Sequence, residues 1–171
     1  MKAAYVAAME GLYLVCMAIS GLGLVVMSLI VPWGVFTRYV LGHGSSWPEP
    51  AAILMMIVFT FLGAAACYRA NAHVAVTMFV SPLPPWLHAA AAWLVEALLA
   101  LLSLFMVIWG AQPSAITWHQ TIGEFPFLSV GVTYLPIPIG GAVTLLFIIE
   151  QAWAGPPGER SFVHREPVSA D

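Results

Sequence analysis

GLYLVCMAISGLGLVVMSLIVPWGVFT, Gly11 to Thr37, is a run of 27 residues without an acidic or basic side chain, closed by Glu10 on one side and Arg38 on the other. An apolar helix of ~20 residues crosses the hydrocarbon core of a bilayer, so this run is long enough to cross with tilt. It exceeds the ~7–15 apolar residues at the centre of a cleaved signal peptide, and no small-residue cleavage site follows it. The solvent of this chain is lipid.

Composition carries the same message along the whole sequence. Hydrophobic residues make up 61% of the 171 residues and charged residues only 8%, against roughly 25% charged in ordinary soluble domains. No polar block is long enough to make a soluble domain. The net charge is −3 and the five Lys and Arg are scattered, so nucleic acid is not expected as a partner. Cys16 and Cys67 both lie inside apolar runs. They read as buried thiols, with no disulfide framework and no CxxC pair.

The pattern predicts an all-α membrane protein of four transmembrane helices. The first spans about 12–40. The second starts near Pro50, a residue suited to a helix's first turn, and runs to about Arg69. The third follows Pro84-Pro85 and ends near Trp118. The fourth spans about 130–153 and is stopped by Gly155-Pro156-Pro157-Gly158. Residues 1–155 form one transmembrane domain, and residues 156–171 form a polar tail expected to be disordered. A straight third crossing from Pro85 would carry Glu96 to mid-membrane, where a carboxylate is costly. A short interfacial helix over Trp86–Val95, anchored by Trp86 and Trp93, would instead leave a crossing over Ala97–Ile116. A proton or ion ligand is the other reading of Glu96.

Basic residues set the expected orientation. With a cytoplasmic N-terminus, Lys2, Arg69, Arg160 and Arg165 lie inside and Arg38 outside, as the positive-inside rule prefers. Four crossings then return the C-terminus to the cytoplasm, giving an N-in, C-in protein.

Few chemistries fit this inventory. Haem or quinone sites need histidines facing one another within the bundle, but His43, His73, His88 and His119 all fall at helix ends or in loops. Intramembrane hydrolysis needs a Ser/Lys, Asp/Asp or HExxH arrangement, and the single aspartate is Asp171. No catalytic residue, cofactor or metal is expected. A secondary transporter places its site between repeats at broken helices near the midplane. No repeat is visible here, so the chain reads as a scaffold.

The remaining candidates are contact residues, and each has a plain structural reading beside the functional one. Gly63, Ala66 and Ala70 share one face of the second helix, which suits close helix packing inside the bundle or against a partner. Ala18 and Gly21 do the same in the first. Arg38 and Glu49 could pair across the loop for ~0–1 kcal/mol, or could touch a partner. Trp47 reads as an interfacial anchor or a partner contact. Arg69 and His73 read as headgroup contacts or partner contacts, and Glu150 as solvated. Phe125, Phe127 and Leu128 lie in a loop too apolar for water, which either dips into the interface or covers a partner.

An ordered set of motifs adds a resemblance. Arg38-Tyr39 ends the first helix and Trp47-Pro48-Glu49 opens the second. Phe61-Leu62-Gly63-Ala64-Ala65, Arg69, His73-Val74-Ala75-Val76 and Leu83-Pro84 follow, then Tyr134, Pro136, Pro138 and Gly140. Over roughly residues 10–150 this resembles the small membrane subunit of tripartite ATP-independent periplasmic (TRAP) transporters, the DctQ-like family. One departure is visible: Pro50 stands where the family often has a second acid, leaving Glu49 alone. The resemblance implies a non-catalytic subunit that binds and anchors a large DctM-like transport subunit. That subunit would drive sodium-coupled uptake of an organic acid delivered by a periplasmic DctP-like binding protein. It implies no cofactor. The rival class is a membrane anchor of a respiratory enzyme carrying haem or quinone.

Overall fold

The computed structural model describes residues 2–70 and 85–154; His73 and the tail over 156–171 lie outside the described residues. Its elements are α1 (Lys2–Tyr39), α2 (Pro48–Arg69), α3 (Pro85–Ile116), β1 (Thr121–Ile122), β2 (Phe125–Ser129), α4 (Val130–Tyr134) and α5 (Pro136–Ala154). Four stretches are long and apolar enough to cross a membrane: Ala4–Tyr39, Pro48–Arg69, Trp93–Ile116 and Val130–Trp153. The chain is a four-helix integral membrane protein.

Element boundaries differ from the expected ones for local reasons. α1 starts ten residues before the expected position 12, because the alanine-rich stretch before Glu10 favours helix as strongly as the apolar run after it. At 38 residues it is about 57 Å long at 1.5 Å per residue, well beyond a ~30 Å hydrocarbon core. α2 opens at Pro48, since a proline at the first position lacks only an N–H that would have had no helical partner. α3 is unbroken from Pro85 to Ile116. No separate interfacial helix forms over Trp86–Val95, because no glycine or proline interrupts the chain between Pro85 and Gly110. Glu96 still falls in the first turn of the apolar span that begins at Trp93, near its end and away from its middle. The fourth crossing is jointed at Leu135: Pro136 cannot donate an N–H, and α4 and α5 meet there.

Between α3 and α4 the chain makes a two-stranded antiparallel hairpin, with Thr121 opposite Ser129 and Ile122 opposite Phe125. Ser129 locks the hairpin to the next helix. Its hydroxyl donates to the Trp118 carbonyl at 2.5 Å and accepts the Gly131 N–H at 3.1 Å, capping α4.

The helices pack in the order α1, α2, α5, α3. α2 lies against α1 and α5, and α5 lies between α2 and α3. Two adjacent glycines make room for the central position of α5. A Cβ on Gly140 would stand 2.9 Å from the Phe61 Cβ of α2, and one on Gly141 would stand 2.8 Å from the Ser103 carbonyl of α3. In lipid, where apolar surface gains little by leaving the solvent, such close backbone approach supplies the packing. The buried apolar core is made of Met9, Tyr13 and Cys16 of α1, Ala65, Ala66 and Tyr68 of α2, and Val143, Phe147 and Ile148 of α5. Elsewhere large aliphatic and aromatic side chains point outward, among them Leu29 at 69% and Trp93 at 77% exposure. That is the surface of a protein made to be covered by acyl chains or by another membrane protein.

Candidate functional site

Three charged residues that end or open apolar runs meet inside the bundle. Arg69 is the last residue of α2 and only 2% exposed. Its Nε donates to Glu150 Oε2 at 2.7 Å and its Nη2 to Glu150 Oε1 at 2.8 Å, a two-pronged bond to α5. Its Nη1 donates to Glu10 Oε2 of α1 at 2.8 Å. The guanidinium carbon also lies 5.1 Å from the Tyr13 ring centre and 5.5 Å from that of Phe147, within reach of a cation–π attraction. One side chain thereby ties three helices. α3 approaches the same end through Glu96, which acts on the hydroxyl of Tyr68, the residue beside Arg69.

Burying an ion in an apolar interior costs several kcal/mol unless it is paired and its hydrogen bonds are satisfied. Here the planar fork of Arg69 matches the two oxygens of Glu150, the geometry that makes arginine–carboxylate pairs strong. The arrangement is a clamp. Its charged groups face one another and leave no reacting atom between them. The headgroup contact expected of Arg69 is not made, because the side chain turns into the bundle. Glu150, expected in solvent, is 2% exposed.

The opposite end of the bundle uses the same residue types differently. Arg38, at the end of α1, and Glu49, in the first turn of α2, are both exposed. They line one cleft of about 300 Å³ between the two helices, with Val31, Val35, Ser45 and Ile53. No ion pair joins them among the described residues, so of the two readings of this pair the loop pin is not formed. Trp47 precedes α2 and is 39% exposed.

The small-residue face of α2 looks inward. A Cβ on Gly63 would lie 3.5 Å from the Ser20 hydroxyl of α1, and Ala66 is 5% exposed. Ala70 is half-buried against the core, and so is Leu62, about 100° round the helix from Gly63. On α1, by contrast, a Cβ on Gly21 would meet nothing, and Ala18 is exposed. The hairpin presents Phe127 at 85% exposure, with Phe125 and Leu128 half-buried behind it. Sequence reasoning missed Glu10 as a site residue. The signal was present: Glu10, Arg69 and Glu150 stand at the ends of apolar runs that an up-and-down bundle brings to one level, and Arg69 is opposite in charge to the other two.

The profile of the family described as "Tripartite ATP-independent periplasmic transporters, DctQ component" matches residues 27–155, which include Arg69 and Glu150. A Haemophilus influenzae protein named as a candidate TRAP transporter small permease protein is 29% identical over 143 residues, covering 82% of this chain and 84% of its own length. With the profile matched over three quarters of its length and four spans apolar enough to cross a membrane, the chain belongs to the DctQ family of TRAP transporter small subunits, non-catalytic permease components of the bacterial inner membrane.

Proposed function

We propose that this chain binds the large TRAP transport subunit and holds it at fixed depth in the bilayer. The large subunit carries out sodium-coupled uptake of an organic acid delivered by a periplasmic binding protein. The supporting observation is the Arg69 clamp. The charged groups gathered at that end of the bundle bond to one another, while apolar surface faces outward on the long helices. A desolvated carboxylate substrate needs unpaired donors to compensate its lost hydration, and a clamp of this kind offers none. A rigid body with an apolar exterior suits the stationary side of a moving transporter. The orientation proposed is N-in and C-in, from the distribution of Lys2, Arg69, Arg160 and Arg165 against Arg38.

The direct test is recovery of the large subunit with this chain from its native host in mild detergent. The chain reconstituted alone in liposomes should give no sodium-driven uptake, and uptake by the pure subunit would overturn the scaffold reading. Ala3→Cys and Arg165→Cys, each without Cys16 and Cys67, should resist an impermeant thiol reagent in intact cells. Labelling of either from outside would reverse the orientation.

A further inference from the structure

The cleft between Arg38 and Glu49 has a mouth of mixed charge and an apolar floor. Arg38 supplies a guanidinium and Glu49 a carboxylate, and neither is bonded to the other or to another described residue. Val31, Val35 and Arg38 stand at i, i+4 and i+7, so they share one face of α1. On α2, Ala52 and Ile53 lie a turn beyond Glu49 in the same cleft. Val31, Val35 and Ile53 are each about half exposed, at 49%, 53% and 47%. The apolar wall therefore leads from the charged mouth toward the membrane interior. Trp33 and Trp47 lie at the same end of α1 and α2, as tryptophans at headgroup depth do.

We propose that this cleft binds one bilayer phospholipid whose headgroup carries both a phosphate and a primary ammonium, of the phosphatidylethanolamine type. The phosphate sits on Arg38, whose N–H groups match phosphate oxygens. The ammonium donates to Glu49. One acyl chain lies along Val31, Val35 and Ile53. An anionic phosphatidylglycerol meets Arg38 equally well but brings no positive group to Glu49. A choline headgroup is positive but has no N–H to donate. The unbonded Arg38 and Glu49 fit a headgroup that carries both a phosphate and an ammonium with N–H groups, and neither alternative has both.

The test uses the assembly containing the full chain, purified in mild detergent, offered equal amounts of phosphatidylethanolamine, phosphatidylcholine and phosphatidylglycerol, and read by native mass spectrometry. The wild type should retain one phosphatidylethanolamine per chain in about tenfold preference over phosphatidylcholine, the effect of one hydrogen bond to a charged group. Arg38→Gln should lose that lipid. Glu49→Gln should lose the preference and retain phosphatidylglycerol instead. Ile53→Trp leaves both charges in place and fills the acyl path, and it should also lose the lipid. Retained lipid that follows the bulk mixture in the wild type overturns the site. So does retention unchanged across all three variants. Reduced recovery of other subunits with lipid content unchanged would assign the cleft to a protein partner and overturn the proposal equally.

Discussion

The two ends of this bundle hold the same kinds of residue and treat them in opposite ways. At one end Arg69 is buried and bonded to Glu10 and Glu150, 59 and 81 positions away in sequence. At the other, Arg38 and Glu49 are eleven positions apart, exposed and, among the described residues, unpaired. Nearness in sequence did not decide pairing. The medium did: a guanidinium turned into an apolar bundle must be paired to remain charged, whereas one at the exposed end of a helix keeps its hydration and gains only ~0–1 kcal/mol from an ion pair.

The contrast breaks most readily at Arg69. Arg69→Ala leaves Glu150 buried without its donor and should destabilise the fold by about 3–5 kcal/mol. Thermal unfolding in mild detergent would show this, and an unchanged midpoint would mean the clamp holds nothing. Arg69→Lys restores the charge but not the fork, and should recover only part of the loss. Glu150→Gln should cost more than Glu10→Gln, because Glu150 is 2% exposed and accepts two bonds from Arg69 while Glu10 is 16% exposed and keeps part of its hydration.

Next come the close helix contacts that set the clamp's geometry. Gly141→Val should cost about 1–3 kcal/mol, since its side chain would meet the Ser103 carbonyl from 2.8 Å and push α3 off α5. Gly63→Leu should act within the chain by prising α1 from α2. A distance between spin labels on those two helices would lengthen. Leu62→Ala should destabilise as well, by creating a cavity beside the core. If Gly63→Leu leaves the helix separation unchanged and reduces only recovery of the large subunit, this face serves the partner instead.

The smallest effects belong to the other end. Arg38→Gln and Glu49→Gln should each move unfolding by no more than ~0.5 kcal/mol, as exposed and unpaired side chains do. A loss as large as that of Arg69→Ala would mean that the two ends are built alike.

Much of this molecule was legible before its fold was seen. Gly11–Thr37 announces a membrane helix by length and the absence of charge alone, because lipid tolerates only such a run. Four crossings follow from the same rule. The motif order from Arg38 to Gly140 led to the family that the profile match then established. The inward-facing residues were harder to read. A helix in lipid is apolar all round, so the stripe that marks the buried face of a soluble helix is absent. Leu62 lies against the core, and nothing in the local pattern marks it as inward-facing. Nor did anything local to Thr121–Ser129 distinguish a hairpin from an interfacial loop.

The sequence by itself determined the solvent, the number of crossings and the family, because each depends on runs and motifs along one stretch of chain. Only the tertiary structure decided that α5 lies between α2 and α3, and that Arg69 therefore finds Glu150 and Glu10. Pairing depends on which helices are neighbours and how each is rotated. Gly140 and Gly141 permit that arrangement by letting backbones approach on two sides of one helix, and such an approach leaves no mark on the spacing of any single segment.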